Sequence, residues 1–287
     1  MRTIGLATCE AVPLLTPEDQ RLAAALGARG IDARPVVWST ATAGDSHSLS
    51  AMIVRSCWDY HHLCDAFLAW ADGTEASGTP VLNAPATLRR NAHKRYLLDL
   101  AARGIPVIAT RLVEAGGTAV LRDIAADLHA QAVVIKPAVS ASSFETHRLD
   151  AASAESEAIF RASATARDML VQPFLPAIAE GELSLVFFDG VFSHAVIKRA
   201  ADGDFRVQEE HGGHTMPCEP DAAVVAAAGR ALRVLDADAL YARIDGVVHG
   251  GGFLLTEAEL IEPYLFLESS PGATDAFAAA IDRRLPR

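Results

Sequence analysis

Basic surface is scarce in this chain, and the shortage sets the first limits. Only 25 lysines and arginines stand against 36 acidic residues, for a net charge of −11, and the basic residues form no run or patch. A surface of that sign repels a phosphate backbone, so nucleic acid is not an expected partner. No apolar stretch comes near the roughly 20 residues that span a bilayer. The opening, Met1-Arg-Thr-Ile-Gly-Leu-Ala-Thr-Cys-Glu10, meets an acid before a signal-peptide core can form. A cytoplasmic protein with no membrane partner is expected. Cysteine is sparse as well: Cys9, Cys57, Cys64 and Cys218 show neither a disulfide framework nor zinc-knuckle spacing, so reduced thiols are expected. Internal repeats and low-complexity linkers are missing, and composition shifts only near Pro80–Pro85.

What is present is apolar material, 51% of 287 residues, enough for one large domain or two or three packed lobes. Thr3–Cys9, Ala33–Trp38 and Ala51–Arg55 read as short buried strands, with helices over Gln20–Gly30 and Leu63–Gly73. This alternation predicts a small parallel-sheet domain, with polar strand ends where such sheets bind ligands. Further on, helices are expected over Arg89–Arg103, Val120–His129, Ala151–Ala166, Pro220–Asp236 and Ala273–Leu285. Strands are expected over Ile105–Arg111, Val133–Pro137 and Asp168–Phe174, and Leu240–Asp245 with Phe253–Ile261 as its antiparallel partner. Leu183–Phe188 and Val191–Lys198 flank Asp189-Gly190, a strong two-residue hairpin signal. The class is α/β, shading to α+β in the catalytic part, with segments at 1–85, 86–175 and 176–287.

The chemistry concentrates near the C-terminus. Asp245, Glu257, Glu259 and Glu262 stand among apolar residues such as Ile244, Val247, Leu255 and Ile261. Carboxylates beside a core need a cation or a basic partner. With no His-Cys cluster nearby, all-oxygen ligation points to magnesium, and magnesium points to phosphate. Glu257 and Glu259 would share one face of a strand. Glu262 is the alternative should that register slip. Lys136 sits where the apolar strand Val133-Val-Ile leaves the core. Lys94, taken alone, reads as a helix-surface lysine rather than a ligand.

The ordered set of Lys94, Lys136, Val171-Gln172-Pro173-Phe174-Leu175, Glu180, Glu182, Lys198, Arg243-x-Asp245 and Glu257-x-Glu259 resembles the ATP-grasp enzymes over essentially the whole chain. The resemblance is closest to the subgroup holding the cyclo-ligase that closes the D-cycloserine ring. It rests on Arg55-Ser-x-Trp-Asp-Tyr60, Asn91-x-x-Lys-x-Tyr-Leu97, Gly181-Glu-x-Ser-Leu185, Ser193-His-Ala-Val-x-Lys198, and Phe205-Arg-Val-Gln208 with His211-Gly-Gly213. It implies an ATP-grasp fold behind an N-terminal parallel-sheet domain. It also implies a ligase that joins a small-molecule carboxylate to an amine through an acyl phosphate, within a homodimer. ATP and magnesium, or manganese in its place, are the implied cofactors. Lys94, Lys136, Ser142 and Ser143 would meet phosphates, Gln172 to Leu175 adenine, and Glu180 or Glu182 ribose. Asp245, Glu257 and Glu259 would hold the metal. Arg206 would act on the transferring phosphoryl group, with Arg243, Lys198 and His211 as further catalytic candidates. Arg55, Trp58 and Asp59 would recognise an amino-acid-like substrate, or else form an ion pair between domains.

One departure from the family pattern concerns the phosphate-covering turn, Ser140-Ala-Ser-Ser-Phe144-Glu145-Thr146. It has no glycine, where ATP-grasp loops carry one or more. Two other readings therefore stay open here: a small-molecule kinase on the same scaffold, and a nucleotide-binding protein without catalysis.

Overall fold

The computed structural model describes residues 2–42, 48–201 and 212–286, which build three sheets. The first is wholly parallel, in the order β2-β1-β3-β4, from β1 (Arg2–Thr8), β2 (Ile31–Val37), β3 (Ala51–Ser56) and β4 (Val81–Leu82). Alternation gives it two apolar faces, as a parallel sheet requires. Ala7, Met52 and Val54 pack on Phe67, Leu68 and Ala71 of α2 (Cys64–Ala76). Ile4, Leu6 and Ile53 pack on Leu22 and Leu26 of α1 (Pro17–Gly27). Helix α1 starts earlier than its periodicity suggests, because the Thr16 side chain caps it by accepting the Asp19 amide and Pro17 opens its first turn.

The second sheet, β5-β8-β6-β7, is antiparallel: β5 (Arg111–Val113), β6 (Ala132–Pro137), β7 (His147–Asp150) and β8 (Met169–Pro173). Val133, Ile135, Met169 and Val171 bury against Leu121 and Ile124 of α5 (Leu121–Asp127) and Phe160 of α6 (Ala154–Ala166). The third sheet runs β11-β10-β9-β12-β13 with antiparallel pairing throughout. Its strands are β9 (Glu182–Phe188), β10 (Val191–Arg199), β11 (His214–Cys218), β12 (Tyr241–His249) and β13 (Gly252–Glu259). The hairpin at Asp189-Gly190 forms as expected, with φ of 55° and 75° at the two turn residues. Leu183, Leu185, Phe187, Ile244 and Leu255 pack on α7 (Ala222–Leu235). Residues of the other parity, Glu182, Ser184, Arg243 and Asp245, are left to the opposite face. The closing helix α8 (Ala273–Arg284) returns to the first sheet, where Phe277 and Ile281 join the Ile4–Leu22 cluster.

Two expected elements differ. The single helix over Arg89–Arg103 is two, α3 (Pro85–Ala92) and α4 (Tyr96–Ala102), separated by His93 in extended conformation. The break is tertiary in origin: the Lys94 amide donates to Ala138 O at 2.7 Å instead of continuing the helix. The strand over Ile105–Arg111 is reduced to a bridge between Val107 and Leu255, with the ladder starting only at Arg111. Pro106 has no N–H to extend that pairing, and accepts from the Leu255 amide instead.

Candidate active site

The second and third sheets face each other across a cavity of about 480 Å³. Lysines reach it from two directions. Lys94 arrives from the α3–α4 break, where its Nζ donates to Ser140 O at 2.6 Å. Lys136 arrives from β6, on the face opposite the buried Ile135 and Pro137. Both ammonium groups close on one carboxylate: Glu257 of β13 lies 3.1 Å from Lys94 and 3.0 Å from Lys136. Asn91 and Tyr96 hold β13 in place between these residues. Asn91 donates to Ala258 O and accepts from the Leu260 amide, both at 2.8 Å, and the Tyr96 hydroxyl accepts from the Ala258 amide at 3.0 Å.

Beside this cluster lies a second. Asp245 of β12 is buried, accepts from Ser184 Oγ at 2.7 Å, and pairs with Lys198 at 3.1 Å and Arg243 at 3.0 Å. Arg243 continues to Glu259, and Lys198 to Glu182 at 2.9 Å. The pairing shifts register after Asp245, where Thr256 of β13 is the extra residue. Gly246 follows because a Cβ at that position would come within 2.5 Å of Leu254 O.

Charge distribution separates the acids. Burial pushes Glu257 upward, but the Lys136 and Lys94 ammonium groups overcome it and hold the carboxyl well below the usual range. Asp245 is likewise lowered, against its burial, by Arg243 and Lys198. Glu259 is pushed up to about 7 by burial and by Asp245 and Glu257, against the pull of Arg243. Glu262 is pushed up to about 8, by burial first and then by Glu259. The acids lining the cavity offer oxygen alone, a donor chemistry that fits a hard divalent cation. Asp245, Glu257 and Glu259 line the same cavity, yet among the described residues no three such side chains stand in metal-holding geometry. Arg243 bridges Asp245 to Glu259, and the two lysines claim Glu257.

The glycine-free turn finds another route to its shape. Ser142, Ser143 and Glu145 adopt φ of 48°, 55° and 47°, the left-handed region glycine would enter more easily. Ser140, Ser142, Ser143 and Thr146 line the cavity. Phe144 packs on His61 and His62 at 5.1 and 5.3 Å between ring centres, with the Arg167 guanidinium 5.6 Å from its ring. Glu145 pairs with Arg167 at 3.0 Å. The bulky and acidic residues are thus occupied elsewhere, and the serines face the space.

Of the other expected site residues, Gln172, Pro173, Glu182, Lys198, Arg243, Glu262 and Trp58 also line the cavity. Arg55 does not. Its guanidinium is buried and consumed by Asp19 at 2.8 Å, Glu18 at 3.1 Å and Pro263 O, so its ion pairs lie within the first segment and only the Pro263 contact reaches the last. Asp59 is taken by the Trp38 indole N–H at 2.7 Å. Glu180 is exposed and Phe174 lies under the Arg148 guanidinium at 4.0 Å, so neither they nor Leu175 line the cavity. Arg206 and His211 lie outside the described residues. Sequence reading missed Tyr264 and Phe266, and gave Tyr60, Asn91, Tyr96 and Ser184 no role although it singled out their stretches.

Residues 4–83 match the family model described as D-cycloserine synthetase DcsG, N-terminal domain. The chain is 35% identical over 272 residues to the cycloserine biosynthesis protein DcsG of Streptomyces lavendulae, covering 89% of this chain and 90% of that one. The crystal structure of D-cycloserine synthetase DcsG superposes with a TM-score of 0.88 at 29% identity, over 99% of this chain and 100% of that one. The D-alanine–D-alanine ligase of Bacillus anthracis shares the fold at 14% identity and a TM-score of 0.72, with 98% and 95% of the two chains covered.

Proposed function

The chain belongs to the ATP-grasp ligases, in the family of D-cycloserine synthetase, and from that membership we propose that it activates a small amino-acid-like carboxylate with ATP and joins it to a nitrogen of the same molecule, closing a ring. The observation that carries this reading is the convergence of Lys94 and Lys136 on Glu257, beside the Lys198–Asp245–Arg243–Glu259 chain.

A carboxylate attacks a terminal phosphate poorly because both are anions, so the site must supply positive charge where the charges meet. Lys94 and Lys136 are suited to the phosphate chain, with Ser142 and Ser143 covering it. Asp245, Glu257 and Glu259 would hold magnesium, which neutralises phosphate oxygens when bound. Arg243 and Lys198 flank that position, suited to orienting the substrate carboxylate. Arg206 is proposed for the phosphoryl group in transfer and His211 for proton movement. Gln172, braced by Thr110 at 3.0 Å, and Pro173 form the wall proposed for adenine, with Glu182 toward ribose.

The bonds balance in two steps. A carboxylate oxygen forms a bond to the γ-phosphorus as the bond to the ADP oxygen breaks. The nitrogen then forms the C–N bond, phosphate leaves, and the nitrogen releases a proton. Enclosure by the serine turn suits an acyl phosphate that bulk water would hydrolyse. A cytoplasmic homodimer completes the reading. With substrate labelled by ¹⁸O in its carboxylate, one labelled oxygen is expected in the released phosphate. Phosphate free of label would defeat the ligase reading, and a stable phosphorylated product would favour a kinase.

A further inference from the structure

Five acids line the cavity, and four of them meet a lysine or arginine: Glu182 with Lys198, Asp245 with Arg243 and Lys198, Glu257 with both lysines, and Glu259 with Arg243. Glu262 is the exception. It is only 8% exposed, yet among the described residues no lysine, arginine or histidine stands at ion-pair distance from it. A buried acid without a cationic partner is costly to ionise, so it gives up its proton only as a cation arrives beside it. Aromatic side chains share its cavity. The Trp58 indole N–H donates to Glu262 O at 3.3 Å, and Tyr60, Tyr264 and Phe266 line the same cavity, the last two edge to face at 5.1 Å.

Carboxylate and aromatic faces together are the surroundings that hold an ammonium group: the acid takes its charge and N–H donors, and the rings take its remaining surface. A metal ion would find little here, since the rings bring few ligand atoms. Glu262 also lies past the end of β13 (Gly252–Glu259), outside the alternation that pairs Glu257 with Glu259 on one face. We propose that Glu262, in the cavity it shares with Trp58, Tyr60, Tyr264 and Phe266, is the subsite for the primary ammonium group of the amino-acid-like substrate, not a metal ligand. The proposal rests on the ligase reading for the class of substrate. An ammonium held there leaves the carboxylate on the same carbon free to face Arg243 and the lysines.

The test compares D-cycloserine, whose ring bears a primary amine, with isoxazolidin-3-one, the same ring without it. Each is titrated calorimetrically into the protein with ADP and magnesium present. The wild type is expected to prefer the amine-bearing ring by about ten- to a hundredfold, the range of a charge-assisted hydrogen bond. Glu262→Gln is expected to reduce that preference to about twofold or less with ADP affinity unchanged. Equal binding of the two rings, binding of neither, or a preference that survives Glu262→Gln would overturn the subsite. Loss of ADP affinity in that variant would make Glu262 a metal ligand after all. Should Glu262→Gln fail to fold, the wild-type comparison still decides. Glu262→Asp, which withdraws the charge by one methylene, should then weaken the amine-bearing ring alone. Because the titration reads binding without turnover, its failure is separable from failure of the labelled-oxygen experiment.

Discussion

Single side chains in the cavity pull stability in opposite directions as pH changes, and the sign of each is fixed by its partner. Glu257 is held low by two lysines, so its contribution is present above the ordinary glutamate range and is lost only as pH falls below it. Glu259 and Glu262 are held high, to about 7 and about 8, so their contribution is full below the ordinary range and is lost as pH rises through those values. His61, lowered to about 4 by burial and by His62, and His194, lowered by burial, oppose this trend, but above about 6.5 only through the charge the unfolded imidazoles still carry. From 6.5 to 8 the glutamates therefore outweigh the histidines. Urea unfolding should show stability falling by roughly 1–2 kcal/mol across it, with a shallower slope in Glu262→Gln. A flat or rising profile in the wild type would mean that neither acid keeps its proton in the folded protein.

At the scale of elements, the sequence announced most strands and helices because apolar spacing repeats within each one. The Glu257–Glu259 pair was legible for the same reason: strand alternation puts both on one face without knowledge of a neighbour. What stayed hidden depends on contacts between distant segments. Nothing local marks the α3–α4 break, since helical residues continue through His93 and Lys94, and only the Ala138 and Ser140 carbonyls draw Lys94 out of line. Arg55 carried two readings for a similar reason. It ends a strand where ligands commonly bind, but its partners Glu18 and Asp19 sit at the start of α1, and Glu18 in turn accepts the amides of Leu265 and Leu267 at 3.0 and 2.9 Å. Arg55 thus supports the loop that carries Tyr264 and Phe266 to the cavity, acting through packing rather than contact with substrate. Arg55→Met leaves two buried acids unpaired and should lower the unfolding free energy by about 3–5 kcal/mol. Unchanged denaturant stability with a raised KM would instead restore it as a substrate contact.

The whole molecule is stitched more tightly than its sequence segments suggest. The family model covers only residues 4–83, and composition shifts near Pro80–Pro85, so the first sheet invites description as a separate domain. Its packing argues otherwise. The face formed by Ile4, Leu6 and Ile53 is completed by Leu265, Phe277 and Ile281 from the far end of the chain. Asn83, buried at the sheet's edge, donates to Tyr241 O and Leu260 O and accepts the Leu240 amide, all within 2.9 Å. The Tyr241 hydroxyl returns to Val54 O at 2.7 Å. A fragment of residues 1–85 would expose that apolar face and strand Asn83 and Glu18 without their backbone partners, each loss costing about 1–3 kcal/mol against a total stability of only about 5–15 kcal/mol for a domain. It should therefore show no cooperative unfolding transition by circular dichroism and poor amide dispersion by NMR. If the fragment instead melts cooperatively, the first sheet folds on its own, and the contacts from α8 serve to place the aromatic loop beside the cavity rather than to complete a core.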